Sequence, residues 1–161
     1  MKNKIKILFY FLIILFFNLN YVNAEKFEYS GNKIKILKEG NIVTGDGGIE
    51  VKIGNNIFIS ARQFVYNKNS SLLEITNNVK FKENINNIEA SSSKIIFLKK
   101  SGLFEIIDNV KFKDNINKIE ASSSKIFFSK TLNKVYSNTK TNIIYNNDYN
   151  INLDDFEYDI K

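Results

Sequence analysis

The sequence predicts an all-β fold built from a repeated unit of about 31 residues, and three observations support this. Residues 78–95 and 109–126 are the same eighteen positions, 31 residues apart, with two substitutions. Apolar and polar residues alternate within each copy, which is the period of a strand with one buried face. After residue 24 no sustained 3.6-residue apolar stripe occurs, and β-branched and aromatic residues dominate the apolar set. A β-repeat is therefore expected, and a helical repeat of similar length is disfavoured.

An older, diverged copy precedes the two clear ones at the same spacing. Five of its positions match the next copy: Ile57, Ser60, Phe64, Tyr66 and Ile75 stand opposite Ile88, Ser91, Ile95, Phe97 and Ile106. In the two clear copies even outward residues such as Lys80 and Lys111 are identical, which indicates a recent duplication. A residue type that the older copy shares with the two recent ones is therefore the better sign that the position is constrained. The apolar positions and the serine are shared in this way.

Turn-forming residues divide each unit. They lie at 77–78, 83–87, 99–102 and 108–109, and the gaps between them fit strands of about four to six residues. Inward parity changes across Ser91, Ser92 and Ser93, because Ile88 is even-numbered and Ile95 odd-numbered. A bulge or corner is therefore expected at the serine triplet, where small hydroxyl side chains can bond nearby backbone groups.

Both ends of the repeat array are degenerate, as is usual in a repeat stack. The leading unit, residues 27–51, contains a glycine-rich segment at 45–48 that reads as a turn, and the trailing unit comprises residues 143–145 and 156–158. The chain has no proline. Nothing in the sequence therefore blocks strand pairing at either end in the usual way.

The first 24 residues have the three parts of a cleavable signal peptide. Lys2, Lys4 and Lys6 precede an apolar run of eleven residues at 7–17, which is shorter than a membrane-spanning helix. Small residues ending at Ala24 then fit a cleavage site. We expect a secreted domain of residues 25–161.

Composition excludes several functions. Without the leader, 20 basic and 17 acidic residues stay, with no basic cluster, so nucleic-acid binding is not indicated. The chain has no histidine and no cysteine, which removes the usual nucleophile systems, zinc sites and disulfides. We expect no catalysis, no metal and no cofactor.

One constellation remains, a row of inward apolar residues that recurs with the repeat. It consists of Ile57, Ile59, Phe64, Tyr66, Leu73, Ile75, Val79, Phe81, Ile88, Ala90, Ile95, Phe97, Phe104, Ile106, Val110, Phe112, Ile119, Ala121, Ile126 and Phe128. The row fits two arrangements. It fills a solid core between two sheets, or it lines an apolar groove between splayed sheets, and periodicity alone does not separate them.

The repeat resembles that of the OstA-like family, which includes the periplasmic lipopolysaccharide-transport protein LptA and the N-terminal domain of the translocon LptD. The resemblance rests on an Ile-x-Ala/Ile-Ser segment followed by an apolar-x-aromatic step, and on an Asn-Val step after a turn, at residues 57–66 with 73–79, 88–97 with 104–110, and 119–128. This chain has Asn77 and Asp108 where the family usually has glycine.

The resemblance implies a twisted, open antiparallel β-jellyroll whose groove shelters lipid A acyl chains, with the apolar row as its lining. It also implies a location in the periplasm with association to the outer membrane, and lipopolysaccharide as ligand. The implied partners are other jellyroll transport proteins or further copies of this chain, through end-to-end strand addition. The alternative is a structural or adhesive surface protein with a solid core.

Overall fold

The computed structural model describes residues 26–160, so the expected signal peptide at residues 1–24 lies outside the described residues. Within this part the chain forms strands only. Their bounds are β1 Phe27–Leu37, β2 Ile42–Ile53, β3 Ile57–Asn67, β4 Leu72–Glu83, β5 Ile88–Leu98, β6 Leu103–Asp114, β7 Ile119–Ser129, β8 Lys134–Ser137, β9 Thr141–Tyr145, β10 Tyr149–Leu153 and β11 Phe156–Asp159. The all-β expectation is confirmed.

All eleven strands belong to one antiparallel sheet that forks at its C-terminal end. From β1 to β7 each strand pairs with the next along the chain. The second half of β7 then pairs with β8, which pairs with β11, whereas its first half pairs with β9, which pairs with β10. A hydroxyl cluster closes the fork: Ser123 Oγ lies 2.8 Å from Thr139 Oγ1, and Ser137 Oγ donates to the Lys125 carbonyl at 2.7 Å.

The long strands bend at mid-length, and the bends line up as a corner across the sheet. The register shifts at residues 46–49 of β2, 60–63 of β3, 76–79 of β4, 91–94 of β5 and 107–110 of β6. The serine corner predicted in β5 is confirmed, and Ser92 Oγ donates to the Lys94 carbonyl at 3.0 Å. A shift of this kind bends a strand without ending it.

Two details of the sequence interpretation are wrong. Residues 77–78, 108–109 and 45–48 do not end strands; they form the corner inside strands of 12 residues, twice the expected length. Asn77, Asn78, Asp108 and Asn109 have φ between 54° and 68°. Asparagine and aspartate tolerate this left-handed conformation, which serves a corner as well as a turn. The predicted turns at 83–87 and 99–102 do connect strands, although Glu83 is still the last residue of β4.

The corner folds the sheet into two layers that face each other. Layer 1 contains residues 27–31, 49–53, 57–61, 79–83, 88–92, 110–114 and 119–123 with β9 and β10. Layer 2 contains residues 33–37, 42–46, 63–67, 72–76, 94–98, 103–107 and 125–129 with β8 and β11. The edge opposite the corner, where the hairpin turns of both layers lie, is called the seam below. No helix in residues 26–160 is long and apolar enough to cross a membrane.

Candidate functional site: the interior between the layers

The structure brings the whole predicted apolar row together between the two layers. Eighteen of its twenty residues are buried, and Tyr66 and Ile119 are partly buried against them. The row follows the register across the strands: Ile59 pairs with Phe81, Phe81 with Ala90, and Ala90 with Phe112. The interior is therefore one continuous apolar surface that runs across the strands, as the repeat predicted.

Aromatic rings from opposite layers touch along this row. Phe81 of layer 1 lies 5.2 Å from Phe104 and 5.8 Å from Phe128 of layer 2, measured between ring centroids. Phe97 stacks on Phe104 at 4.2 Å. These residues are at most 2% exposed. The two layers are thus in contact along the row, and the interior is filled by the side chains that line it. Of the two arrangements that the sequence allowed, the structure therefore has the filled core and not the open groove.

Side chains close the seam through aromatic, polar and cation–π contacts between the layers. The Phe27 ring of layer 1 lies 4.9 Å from the Tyr66 ring and 5.9 Å from the Phe97 ring of layer 2. The Tyr158 hydroxyl of β11, in layer 2, donates to Asp114 Oδ2 in layer 1 at 3.1 Å. Lys99 Nζ, in a layer 2 turn, lies 4.6 Å from the centroid of the Phe27 ring in layer 1. Burial, reinforced by the Asp114 carboxylate, raises the pKa of the Tyr158 hydroxyl above its usual value. Tyr158 is therefore held in its neutral, donating form.

Two buried acids at the seam were not found by sequence reasoning. Glu83 and Asp114 are equivalent in the two clear repeats, and they are 3% and 0% exposed. Glu83 accepts from the Ile85 and Asn86 amides, and Asp114 from the Ile116 and Asn117 amides, so each carboxylate closes its own hairpin turn. Extending the inward alternation of Val79 and Phe81 by one step would have identified Glu83.

Inward residues in and beside the degenerate end units also belong to the core, although the repeat did not indicate them. Ile49, Val51, Ile53, Val135 and Ile143 are buried in the same cluster. Tyr29 stacks on Phe64 at 4.7 Å, and its buried hydroxyl has no hydrogen-bond partner among the described residues. Burial raises the pKa of this hydroxyl. These units lack the repeat's signature, and only their alternation could have revealed their inward positions.

Both ends of the two-layered sheet expose apolar residues on the interior face. At the N-terminal end, Ile34 and Ile36 of β1 continue the inward positions of layer 2, yet they are 39% and 69% exposed. At the C-terminal end, Tyr149, Ile151 and Leu153 of β10 continue those of layer 1 and are 37–60% exposed. Each end thus leaves the interior face of one layer uncovered, that of layer 2 at β1 and that of layer 1 at β10.

The described residues contain no group of acidic side chains that could hold a metal ion. The interior offers apolar surface with few polar atoms, which suits hydrocarbon and not polar substrates.

Comparisons with known proteins bear on the fold. No family model and no curated protein matches the chain. Among solved structures it is similar to LptH of Pseudomonas aeruginosa, described as the LptA homologous periplasmic component of the conserved lipopolysaccharide transport device. The TM-score is 0.57 at 10% identity, covering 65% of this chain and 76% of LptH. The chain therefore has the LptA-like jellyroll fold that the sequence resemblance implied.

Proposed function

We propose that this protein is a non-catalytic, periplasmic, LptA-type component of lipopolysaccharide transport, which shelters lipid acyl chains between its two layers. The observation that carries the proposal is the continuous apolar surface between layers of an LptA-like fold. Each methylene kept from water is worth about 0.8 kcal/mol, so such a surface removes a large barrier to the passage of acyl chains through an aqueous compartment. LptH, which has a similar fold, is a periplasmic component, and this supports the periplasmic location.

Because Phe81 and Phe104 touch across the interior, acyl chains enter only if the layers move apart. The seam is the edge for this movement, since it lacks the covalent strand crossings of the corner. Separation exposes apolar side chains, and the acyl chain covers them again. One apolar contact replaces another, so the net free energy of opening stays small. Repetition makes successive positions similar, which keeps the binding energy even along the path.

The experiment is site-specific photo-crosslinking in cells. A benzoylphenylalanine replaces Phe97 or Phe128, both at most 1% exposed and facing the interior. We expect lipopolysaccharide to be captured at both positions. Phe127, the next residue on β7, faces outward against Tyr136 and is the matched control. Capture from Phe127 alone, or from neither interior position while a known carrier captures lipid, would contradict the proposal.

The uncovered ends support assembly with a further jellyroll, either another transport protein or a second copy. The uncovered face of layer 2 at β1 and that of layer 1 at β10 lie at opposite ends, so end-to-end contact covers both. Layer 1 and layer 2 then continue from one molecule into the next. The apolar path becomes longer than one chain.

This assembly is tested by sedimentation of the purified protein over a range of concentrations. Ile36→Lys puts a charge into the expected contact and should abolish any concentration-dependent oligomer. Ile116→Lys, at a hairpin turn where the side chain is 55% exposed, is the control and should leave the oligomer unchanged. A wild-type protein that stays monomeric at high concentration would rule out self-assembly and leave only other jellyrolls as partners.

A further inference from the structure

The outer face of layer 1, on the opposite side of the sheet from the interior, carries a concave trough. It has a volume of about 890 Å³ and runs from β1 to β7. Thirteen of its nineteen lining residues stand at outward positions, which alternate with the buried row along the strands. The other six, Tyr29, Val51, Ile59, Phe81, Ala90 and Phe112, are the inward residues that lie between them. The trough therefore lies on the sheet face opposite the apolar interior, and its outward side chains have no role in the function proposed above.

Five lysines and four glutamates line the trough, and most of them are paired with each other. Lys52 lies 3.5 Å from Glu28, Lys82 lies 4.0 Å from Glu89, and Lys113 lies 2.8 Å from Glu120. Lys80 and Lys111 form no ion pair with any residue of the described part of the chain. Their charges are thus the ones available to a ligand.

These two lysines belong to one row of cross-strand neighbours. Ser60 pairs with Lys80, Lys80 with Ser91, Ser91 with Lys111, and Lys111 with Ser122. The row therefore reads hydroxyl, ammonium, hydroxyl, ammonium, hydroxyl. Lys80 and Lys111 are two strands apart, which puts their Cα atoms about 10 Å from each other. Glu50, the remaining unpaired acid, lies two strands from Lys80 on the other side of Ser60.

An aromatic ring lies beside this row. Phe58 faces outward on β3 between Lys52 and Lys82, and it is 40% exposed although its neighbours are charged. An exposed ring offers a flat apolar surface on which the C–H face of a sugar can rest, whereas serine hydroxyls exchange hydrogen bonds with sugar hydroxyls. Ammonium groups bind phosphate or carboxylate through charge-assisted hydrogen bonds.

We propose that this trough binds an anionic saccharide, a chain of sugars that carries phosphate or carboxylate groups. Lys80 and Lys111 bind two of its acidic groups, the serine row binds its hydroxyls, and Phe58 supports a sugar ring. An acidic peptide would satisfy the lysines alone and would leave the ring and the hydroxyl row unused. The saccharide accounts for all three features, so the structure favours it.

The test uses water-soluble probes that cannot enter an apolar groove. Fully deacylated lipopolysaccharide carries phosphates on sugars, oligogalacturonate carries carboxylates on sugars, polyglutamate carries carboxylates without sugars, and dextran carries sugars without charge. Binding is measured by calorimetry at fixed ionic strength, and the site is mapped by the backbone amide shifts of Ser60, Ser91 and Ser122. We expect one or both anionic saccharides to bind, and to shift these amides.

The variants separate the proposed roles. The double variant Lys80→Gln/Lys111→Gln should weaken binding by about tenfold for each lysine lost, because one charge-assisted hydrogen bond contributes about that much affinity. Lys68→Gln with Lys100→Gln removes the same charge from exposed turns of layer 2 and should change affinity less than twofold. Phe58→Ala should weaken the binding of the saccharides and leave any binding of polyglutamate unchanged.

Three outcomes would overturn the proposal: no anionic saccharide binds at millimolar concentration, polyglutamate binds as well as the saccharides, or the two double variants lose affinity equally. Because none of the probes has acyl chains, these outcomes are independent of capture at Phe97 and Phe128. The relative affinities of deacylated lipopolysaccharide and oligogalacturonate show whether the lysines prefer phosphate or carboxylate groups.

Discussion

At the scale of single residues, Gly45 leaves the space that the Phe64 ring occupies. A Cβ built on Gly45 would collide with the ring carbons Cδ1 and Cε1 of Phe64. Phe64 cannot retreat, because Tyr29 of the other layer stacks on it at 4.7 Å. Glycine is required here by close packing and not by its backbone conformation.

Gly45→Ala should therefore destabilise the protein by about 1–3 kcal/mol, as expected for overpacking of a core. The midpoint of urea unfolding measures the change. Gly40→Asn is the control, because a Cβ there would meet nothing within 4 Å and asparagine tolerates the positive φ of 88° better than other residues; it should cost less. Adding Phe64→Leu should restore part of the loss at Gly45; if it only adds to the loss, steric contact is not the cause.

Tyr158 gives the seam a dependence on alkaline pH. An unfolded tyrosine loses its proton near pH 10, whereas burial raises the pKa of Tyr158 in the folded protein. Above pH 10 the unfolded state therefore releases a proton that the folded state keeps, and rising pH favours unfolding. The stability that this residue contributes is fully present below pH 10 and declines above it.

Tyr158→Phe should lower the free energy of unfolding by about 1 kcal/mol at pH 8, because the hydrogen bond to Asp114 is lost. The difference from wild type should then shrink above pH 10, by at most about 1.4 kcal/mol per pH unit. Urea titrations at pH 8, 9, 10 and 11 measure it. A difference that grows with pH would refute the role assigned to Tyr158. The control is Tyr149→Phe in β10, whose side chain is 60% exposed, and its difference from wild type should not change with pH.

At the scale of elements, the corner depends on residues that accept a positive φ. Asn78 has φ of 59° in β4, and its side chain is exposed without a hydrogen bond to another described residue. Any effect of substitution there reports the backbone alone. The neighbouring Asn77 and its equivalent Asp108 also have positive φ. Their occurrence where the OstA-like family usually has glycine is thus a conservative difference.

Asn78→Val should destabilise the protein by about 1–3 kcal/mol, since a β-branched residue is strained in the left-handed region. Asn78→Gly should change stability little, because glycine adopts this conformation freely. Thermal unfolding of the two variants measures the difference. Equal melting temperatures for the valine and glycine variants would show that the corner is held by packing and not by the preference of its residues.

The corner also explains how far the sequence predicted the elements. Alternation found the inward positions from Ile57 to Phe128, because parity is preserved on each side of a bend. It did not find the strand lengths, because Asn77–Asn78 has the same chemistry in a hairpin turn and in a bulge. Only pairing with β3 and β5, which continues on both sides, distinguishes the two. The Tyr158–Asp114 contact was also unpredictable, since its residues lie 44 positions apart.

At the scale of the whole molecule, the fold joins its layers unequally. Along the corner every strand from β1 to β7 crosses from one layer to the other, whereas the seam is held by side-chain contacts such as those of Tyr158 and Lys99. Movement that separates the layers therefore hinges at the corner and opens the seam. Such movement leaves the strand pairing within each layer intact.

This geometry makes a prediction for spin labels, and a chain without cysteine allows them to be placed cleanly. Lys100→Cys in a layer 2 turn and Ile116→Cys in a layer 1 turn stand on opposite sides of the seam, and both side chains are exposed. Double electron–electron resonance should show their separation increase when lipopolysaccharide is added, because acyl chains between Phe81 and Phe104 force the layers apart.

The control pair lies within one layer. Asn55→Cys and Ile116→Cys are in layer 1 turns four strands apart, about 19 Å by strand spacing, and their separation should stay constant. If both pairs lengthen, the sheet deforms as a whole and the corner is not a hinge. If neither changes while a photo-crosslinker at Phe128 captures the lipid, acyl chains reach the interior from an open end of the sheet, and the seam is not their entrance.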